Sequence, residues 1–379
     1  LKKKLGLHAN NYSPLARNAI NKGNGSWGIL KFLNSDEESL VEIRKDNPQA
    51  IIVCRRMINQ DGNEEEMAQA ILTESQTVKG IVDYWELYNE ALGDPVFYNK
   101  FNLEVTKRLQ GAGLKVSDLS LAVGTPAGSD DDIRRVLDIL APCVLQADAW
   151  SYHAYGAPGV LTSSDWLALR PRKYVQLDPR YGTKPRIYSE AGIDFGVIPN
   201  SQGDTSYTNT NGYRAHGIPD EVYASQLIAL GDAMLTDAME LGATIYQVGN
   251  DTDWNSFRLT DPVLDTIADY VTVGDTPVPT QPQSTDSIIA YYGMYGYPPS
   301  ADSALYKYGL KPLREKYLAL VAAGDPTADM ENPGPCLTGE YQEVVNGEIR
   351  YRVRLTNRII ECYNRGDQWY AGAVELYLK

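Results

Sequence analysis

The chain has 379 residues, 43% of them apolar and 22% charged, with a formal net charge of −14. That length suits one large α/β domain plus a smaller module, and the composition is globular rather than disordered. The acidic balance excludes a nucleic-acid partner of the usual kind, because phosphate binding relies on clustered Lys and Arg, and no apolar run reaches the roughly 18 residues of a membrane span.

Short apolar runs separated by amphipathic stretches predict buried parallel strands alternating with helices. The strands are predicted at residues 4–10, 27–34, 50–58, 82–90, 120–127, 147–156, 186–194 and 243–251. Helices are predicted at 36–47, 63–78, 95–113, 130–140, 219–241 and 262–273. Asn63 followed by Glu66 has the spacing of a capping box. The run Asp130-Asp131-Asp132 opens a helix, where its charge complements the helix dipole. Eight strand units over about 270 residues fit a (β/α)8 TIM barrel, which we assign to residues 1–274. An open doubly wound sheet is the alternative, but the first βα turn has no Gly-x-Gly-x-x-Gly phosphate loop.

The barrel pattern gives way to a linker at residues 275–287, rich in Pro, Thr, Gln and Ser. Residues 288–379 are expected to form a smaller C-terminal accessory module, mostly β, of α+β or sandwich-like type. It opens with a Tyr-rich run at 291–297, continues with a helix at 301–323, and then carries strands flanking the turns Asn346-Gly347 and Arg365-Gly366-Asp367. The Tyr run reads as the packing seam of the module, with a carbohydrate platform as the alternative. The 4 cysteines are too few for a disulfide scaffold. Cys54 and Cys143 are expected as buried thiols, and Cys336 and Cys362 either pair or stay free. No signal-peptide pattern precedes the first strand and the chain does not begin with Met, so export stays open, and an extracellular or cell-surface location is favoured over the cytoplasm.

Chemistry is concentrated at strand ends. Tyr84-Trp85-Glu86-Leu87-Tyr88-Asn89-Glu90 reads as a buried strand ending in Asn-Glu, and Arg186-Ile187-Tyr188-Ser189-Glu190 ends in a carboxylate in the same way. In a (β/α)8 barrel the ends of the strands carry catalytic groups. Two carboxylates facing each other about 5 Å apart are what a retaining glycosidase uses, one as proton donor and one as nucleophile. Strand alternation is expected to put Glu86, Tyr88 and Glu90 on one face, with Glu86 buried beneath Glu90 and in need of a basic partner from Arg55 or Arg56. The 26 Tyr and 6 Trp against 5 Phe suit sugar faces, although such rings also serve ordinary cores.

Trp85-Glu86-x-x-Asn89-Glu90, Ser189-Glu190-x-Gly192 and His153-x-Tyr155 resemble the motifs of clan A glycoside hydrolases, a group of (β/α)8 retaining enzymes acting on β-glycosides. The resemblance covers roughly residues 4–273. It implies Glu90 as general acid/base, Glu190 as nucleophile and Asn89 as a ligand of the sugar 2-hydroxyl. It also implies that His153 contacts the sugar, that Tyr155 hydrogen-bonds the nucleophile, and that a strand-three arginine, Arg55 or alternatively Arg56, lies beside it. The group usually carries a Trp at the end of strand eight. Here that strand reads Tyr246-Gln247-Val248-Gly249-Asn250, and Trp254 is expected to replace the missing ring from the loop.

His8, at the end of strand one, is a candidate sugar ligand or a structural histidine. His216, in a long loop with Tyr207 and Tyr213, either shapes the cleft or is filler. With 3 widely spaced histidines and no Asp-x-Asp run, neither a catalytic metal nor a cofactor is expected. The expected partner is a carbohydrate, with self-association or a larger assembly through the C-terminal module. The rival readings are a carbohydrate-binding or adhesive protein on an inactive barrel, and a metal-dependent lyase barrel. The latter needs three clustered carboxylates that the strand ends do not supply.

Overall fold

The computed structural model describes residues 3–33, 36–57, 63–78, 80–90, 93–161, 165–198, 208–249 and 254–272, and the backbone of 341–345, 348–354, 358–365 and 368–375. The chain divides into two compact units, Leu1–Thr276 and Pro277–Lys379. In the first, β1 (Leu5–Ala9), β2 (Ile29–Leu33), β3 (Ile51–Arg55) and β4 (Tyr84–Glu86) are followed by β5 (Val116–Leu121), β6 (Ala149–Gly156), β7 (Arg186–Ile193) and β8 (Glu240–Val248). They close into a parallel barrel in sequence order, β8 returning to β1. Helices α1 (Pro14–Lys22), α2 (Glu37–Asp46), α3 (Glu64–Ser75), α4 (Pro95–Gly111), α5 (Asp130–Gln146), α6 (Arg170–Leu177), α7 (Asp220–Met234) and α8 (Asp261–Thr272) alternate with the strands. This is the (β/α)8 barrel.

Local chemistry sets where the helices start. Ser13, Asp36, Asn63 and Asp94 each accept a first-turn N–H, and Asn63 takes that of Glu66 at 2.9 Å. A reciprocal capping box forms at Ser129, whose N–H donates to Asp132 Oδ2 at 2.9 Å, so the acidic run is a helix start. Helices α1 and α6 were not among those predicted, although Ser13 and Pro14 mark the start of α1; α6 has no side-chain cap. Helix α5 also runs past its expected end at residue 140, because Pro142 is accommodated within it and the Cys143 N–H is taken by Asn99 Oδ1 at 3.0 Å.

Strand β5 lies earlier than the predicted 120–127, and β8 begins at Glu240, where the sequence suggested a continuing helix. Strand β5 is also irregular, its register with β6 slipping between Asp118 and Leu121, with Leu119 and Ser120 at positive φ. A slip in β7 matters more for the site. Tyr152 opposes Tyr188 but His153 opposes Glu190, so Ser189 is one extra residue and Glu190 is turned beside His153. Two residues on, Gly192 has φ +154°, and a Cβ there would lie 2.6 Å from the Tyr223 hydroxyl, so the position admits only glycine.

The second unit contains β9 (Tyr341–Val345), β10 (Glu348–Arg354), β11 (Arg358–Arg365) and β12 (Gln368–Glu375), antiparallel in the order β12-β11-β10-β9. Val345 pairs with Glu348 and Arg365 with Gln368, across the two predicted turns. The linker, the Tyr run, the helix expected at 301–323 and Cys336 lie outside the described residues. Cys54 and Cys143 are buried free thiols. Among the described residues no helix is long and apolar enough to cross a membrane.

Candidate active site

A cleft of about 430 Å³ opens at the C-terminal ends of the strands. Asn89, Glu90, Arg55, Tyr155, Glu190 and Trp254, all singled out in the sequence, line it. Glu90, Glu190 and His153 offer carboxylate and imidazole atoms that all lie within 4.8 Å of one another. His153 Nδ1 is 2.5 Å from Glu90 Oε1 and 3.5 Å from Glu190 Oε2, so the imidazole bridges the two carboxylates. Tyr155 donates its hydroxyl to Glu190 Oε2 at 2.9 Å.

The other Glu190 oxygen faces cations. Arg55 Nη1 and Lys31 Nζ each lie 3.3 Å from Oε1. Arg55 also donates to Asn89 Oδ1, which ties the Asn-Glu segment to the Glu190 side of the cleft. Of the two candidate arginines, Arg55 is the one at the site. Arg56 points away to Glu74, at 3.0 Å, and is 39% exposed.

Below Glu190, Glu86 is fully buried and pairs with Lys31 at 2.6 Å and with Arg55 at 3.5 Å. The expected need for a basic partner is thus met chiefly by Lys31, which the sequence reading passed over. The only sequence sign of it was a lysine inside the apolar strand Ile29–Leu33. The expected alternation of Glu86, Tyr88 and Glu90 fails. Regular strand ends at Glu86, Tyr88 packs edge-to-face on Tyr98 and Phe101 of α4 at 5.2 and 5.3 Å, and Glu90 sits at φ +58°.

These neighbours set the charge states. Burial opposes ionisation of Glu190, but the surrounding basic side chains, His153, Lys31, His8 and Arg55, outweigh it and hold the carboxyl well below the usual range. The pKa of His8 is pushed well down by burial and by Lys31, so His8 adds less charge beside Glu190 than Lys31 and Arg55 do. The same contest, burial against Lys31 and Arg55, leaves Glu86 ionised.

His8 is wholly buried, with Nδ1 3.8 Å from Glu190 Oε1 and its ring edge-to-face on Tyr246, so it supports the carboxylate from below and does not face the cleft. His216 stacks on Phe195 at 3.7 Å, and Tyr213 is buried against Tyr223. Tyr207 lies outside the described residues. Trp254 packs edge-to-face on Tyr246 and Phe257, which also line the cleft. The wall at β8 is therefore built by Tyr246 together with Trp254.

A third carboxyl was missed. Asp194, at the end of β7, lines the cleft and accepts the Gly196 N–H at 2.7 Å. Burial pushes it up to about 6, with the Gly196 N–H pulling against that and the Glu90 charge adding to it. Glu90, His153 and Glu190 are the one group among the described residues with the donor spacing of a metal site. Lys31 and Arg55 already neutralise Glu190, and the imidazole is engaged by both carboxylates, so the arrangement suits proton transfer and nucleophilic attack better than cation binding.

No protein-family model matches the chain, and no curated protein matches it. Among solved structures, it is similar to a GH128 (subgroup II) endo-β-1,3-glucanase from Sorangium cellulosum, at 15% identity and TM-score 0.46, over 70% of this chain and 97% of that one. The corresponding GH128 (subgroup II) endo-β-1,3-glucanase from Pseudomonas viridiflava gives 14% and 0.44, over 70% and 96%. An endo-β-1,4-mannanase from Thermotoga petrophila gives 11% and 0.43, over 73% and 78%.

Proposed function

We propose that the chain hydrolyses β-glycosidic bonds of an oligo- or polysaccharide with retention, Glu190 acting as nucleophile and Glu90 as general acid/base. The observation that carries this reading is the spacing of Glu90 and Glu190, whose oxygens lie within 4.8 Å across one cleft. Retaining enzymes hold their carboxyls about 5–5.5 Å apart, whereas inverting enzymes leave about 6.5–9.5 Å for a water.

The charges divide the roles. Glu190, held ionised by Lys31 and Arg55 and oriented by the Tyr155 hydroxyl, attacks the anomeric carbon. Glu90, more open to the cleft, delivers a proton to the leaving oxygen, so the glycosidic C–O bond breaks as the glycosyl ester forms. Water then attacks the same carbon, giving its proton to Glu90, and the Glu190 carboxylate is released. Asn89 is suited to the 2-hydroxyl, and Tyr246 with Trp254 to the face of the sugar.

The test is a panel of 2,4-dinitrophenyl β-glycosides and β-glucans and β-mannans on the full chain. Glu190→Ala is expected to lose turnover of every substrate. Glu90→Ala is expected to lose about 10²–10⁴-fold where the leaving group needs a proton, and to be rescued by azide with retained configuration. Tight binding of a polysaccharide with no turnover of any glycoside would replace this reading with that of a binding protein.

A further inference from the structure

Four charged side chains meet beneath the cleft, three from the adjacent strands β2 (Lys31), β3 (Arg55) and β4 (Glu86) and one, Glu190, from β7 across the barrel. Lys31 and Glu86 are completely buried, 2.6 Å apart, and Lys31 also reaches Glu190 at 3.3 Å. Arg55 touches the same two carboxylates, at 3.5 and 3.3 Å. The set holds two positive and two negative charges, so it is neutral while Glu190 is ionised.

We propose that Lys31 is a positioning residue for Glu190, and that Glu86, by sharing its ammonium, sets how strongly Lys31 acts on the nucleophile. The inference rests on the role given to Glu190 above and extends it. When the glycosyl ester forms, Glu190 gives up its negative charge and the set is left with one uncompensated positive charge in a buried space. That charge favours the second half of the reaction. Water attacks the anomeric carbon, the carbon–oxygen bond to Glu190 breaks with its electron pair moving to the carboxylate, and the proton goes to Glu90. Lys31 thus stabilises the departing carboxylate, and Glu86 keeps it from stabilising the attacking one too strongly.

The other groups around Glu190 are His8 from β1, Glu90 four residues beyond β4, His153 and Tyr155 from β6, and Asp194 just after its own strand. Tyr246 of β8 stands behind Tyr155 and His8. None of them contacts both Glu86 and Glu190 as Lys31 and Arg55 do among the described residues.

Titration of the Glu190 carboxyl by carbon-13 NMR of the full chain, with its signal assigned by Glu190→Gln, reads the coupling without any substrate. Lys31→Met is expected to raise the midpoint by about one unit or more, Lys31→Arg to restore most of it, and Glu86→Gln to lower it. These opposite signs are what a space-filling role does not produce. If Lys31→Met does not fold, Glu86→Gln carries the same test. On a reactive dinitrophenyl glycoside, Lys31→Met is expected to lose about tenfold or more in kcat and less in kcat/KM, since release of Glu190 is the step that suffers.

A Glu190 midpoint unmoved in both variants overturns the proposal. Separately, 2,4-dinitrophenyl 2-deoxy-2-fluoro-β-glycosides of gluco, manno and galacto configuration are expected to label wild-type Glu190. Absence of label from all three, with shifted midpoints, overturns the catalytic reading and leaves the charge coupling standing.

Discussion

Glu86 and Asp118 are both sealed from solvent, on neighbouring strands of the same barrel, and their carboxyl groups respond to burial in opposite ways. Glu86 points into the barrel, where Lys31 and Arg55 overcome the burial penalty and keep it charged. Asp118 accepts the Leu119 N–H at 2.6 Å and pairs with no basic side chain among the described residues, so burial pushes it up to about 7. Burial alone therefore does not decide whether a carboxyl in this barrel is ionised. The cations brought in by adjacent strands decide it, and they gather under the cleft.

The contrast breaks most directly at Glu86. Glu86→Ala leaves Lys31 and Arg55 with one carboxylate where they had two, and is expected to cost about 3–5 kcal/mol in urea denaturation at pH 7. A loss under about 1 kcal/mol would mean that water or protonation relieves the site. Asp118 tests the other half. Its folded pKa of about 7 lies above the ordinary 3.8, so the folded state holds the extra proton and stability falls as pH rises from about 4 to about 7. Asp118→Asn should flatten that slope and be the more stable protein at pH 8, by up to about 4 kcal/mol. Glu86 has the opposite sign. Its depressed pKa gives stability that is present above about 4.5 and lost as pH falls below it.

Two smaller effects sharpen the comparison. Tyr155→Phe removes a hydroxyl donated to an ionised carboxylate and is expected to lower kcat/KM by about 10- to 100-fold, with the fold intact by circular dichroism. Arg56→Ala removes a pair between part-exposed Arg56 and largely buried Glu74, which can take up a proton instead, and its effect on stability should stay within about 1 kcal/mol, with no change in kcat. An Arg56 variant as damaging as one at Arg55 would mean that position rather than pairing matters on β3.

Much of the barrel was legible because parallel strands buried on both faces leave short apolar runs, and because Glu90 and Glu190 end two of those runs. The legible features are properties of one segment at a time. What escaped depends on two segments meeting. Lys31 lies in a strand that reads as apolar, and nothing along the chain ties it to Glu86, 55 residues later. Tyr88 was assigned the wrong face because alternation holds only while the strand continues, and β4 stops at Glu86. Helix α6 has no side-chain N-cap and no acidic first turn, so Pro171 alone marks its start. The contribution of Tyr246 to the cleft wall became visible only once β8 and the Trp254 loop stood side by side.

Glu90 occupies the left-handed region, φ +58°, where a side chain costs about 1–2 kcal/mol and glycine or asparagine is far better tolerated. An engineering campaign that ranks variants of this protein by thermal tolerance alone would accordingly select Gly or Asn at position 90 among its early improvements. Each such gain would remove the proposed proton donor. A useful hardening strategy has to hold that position fixed and look for its degrees of melting temperature elsewhere, among the outer helices.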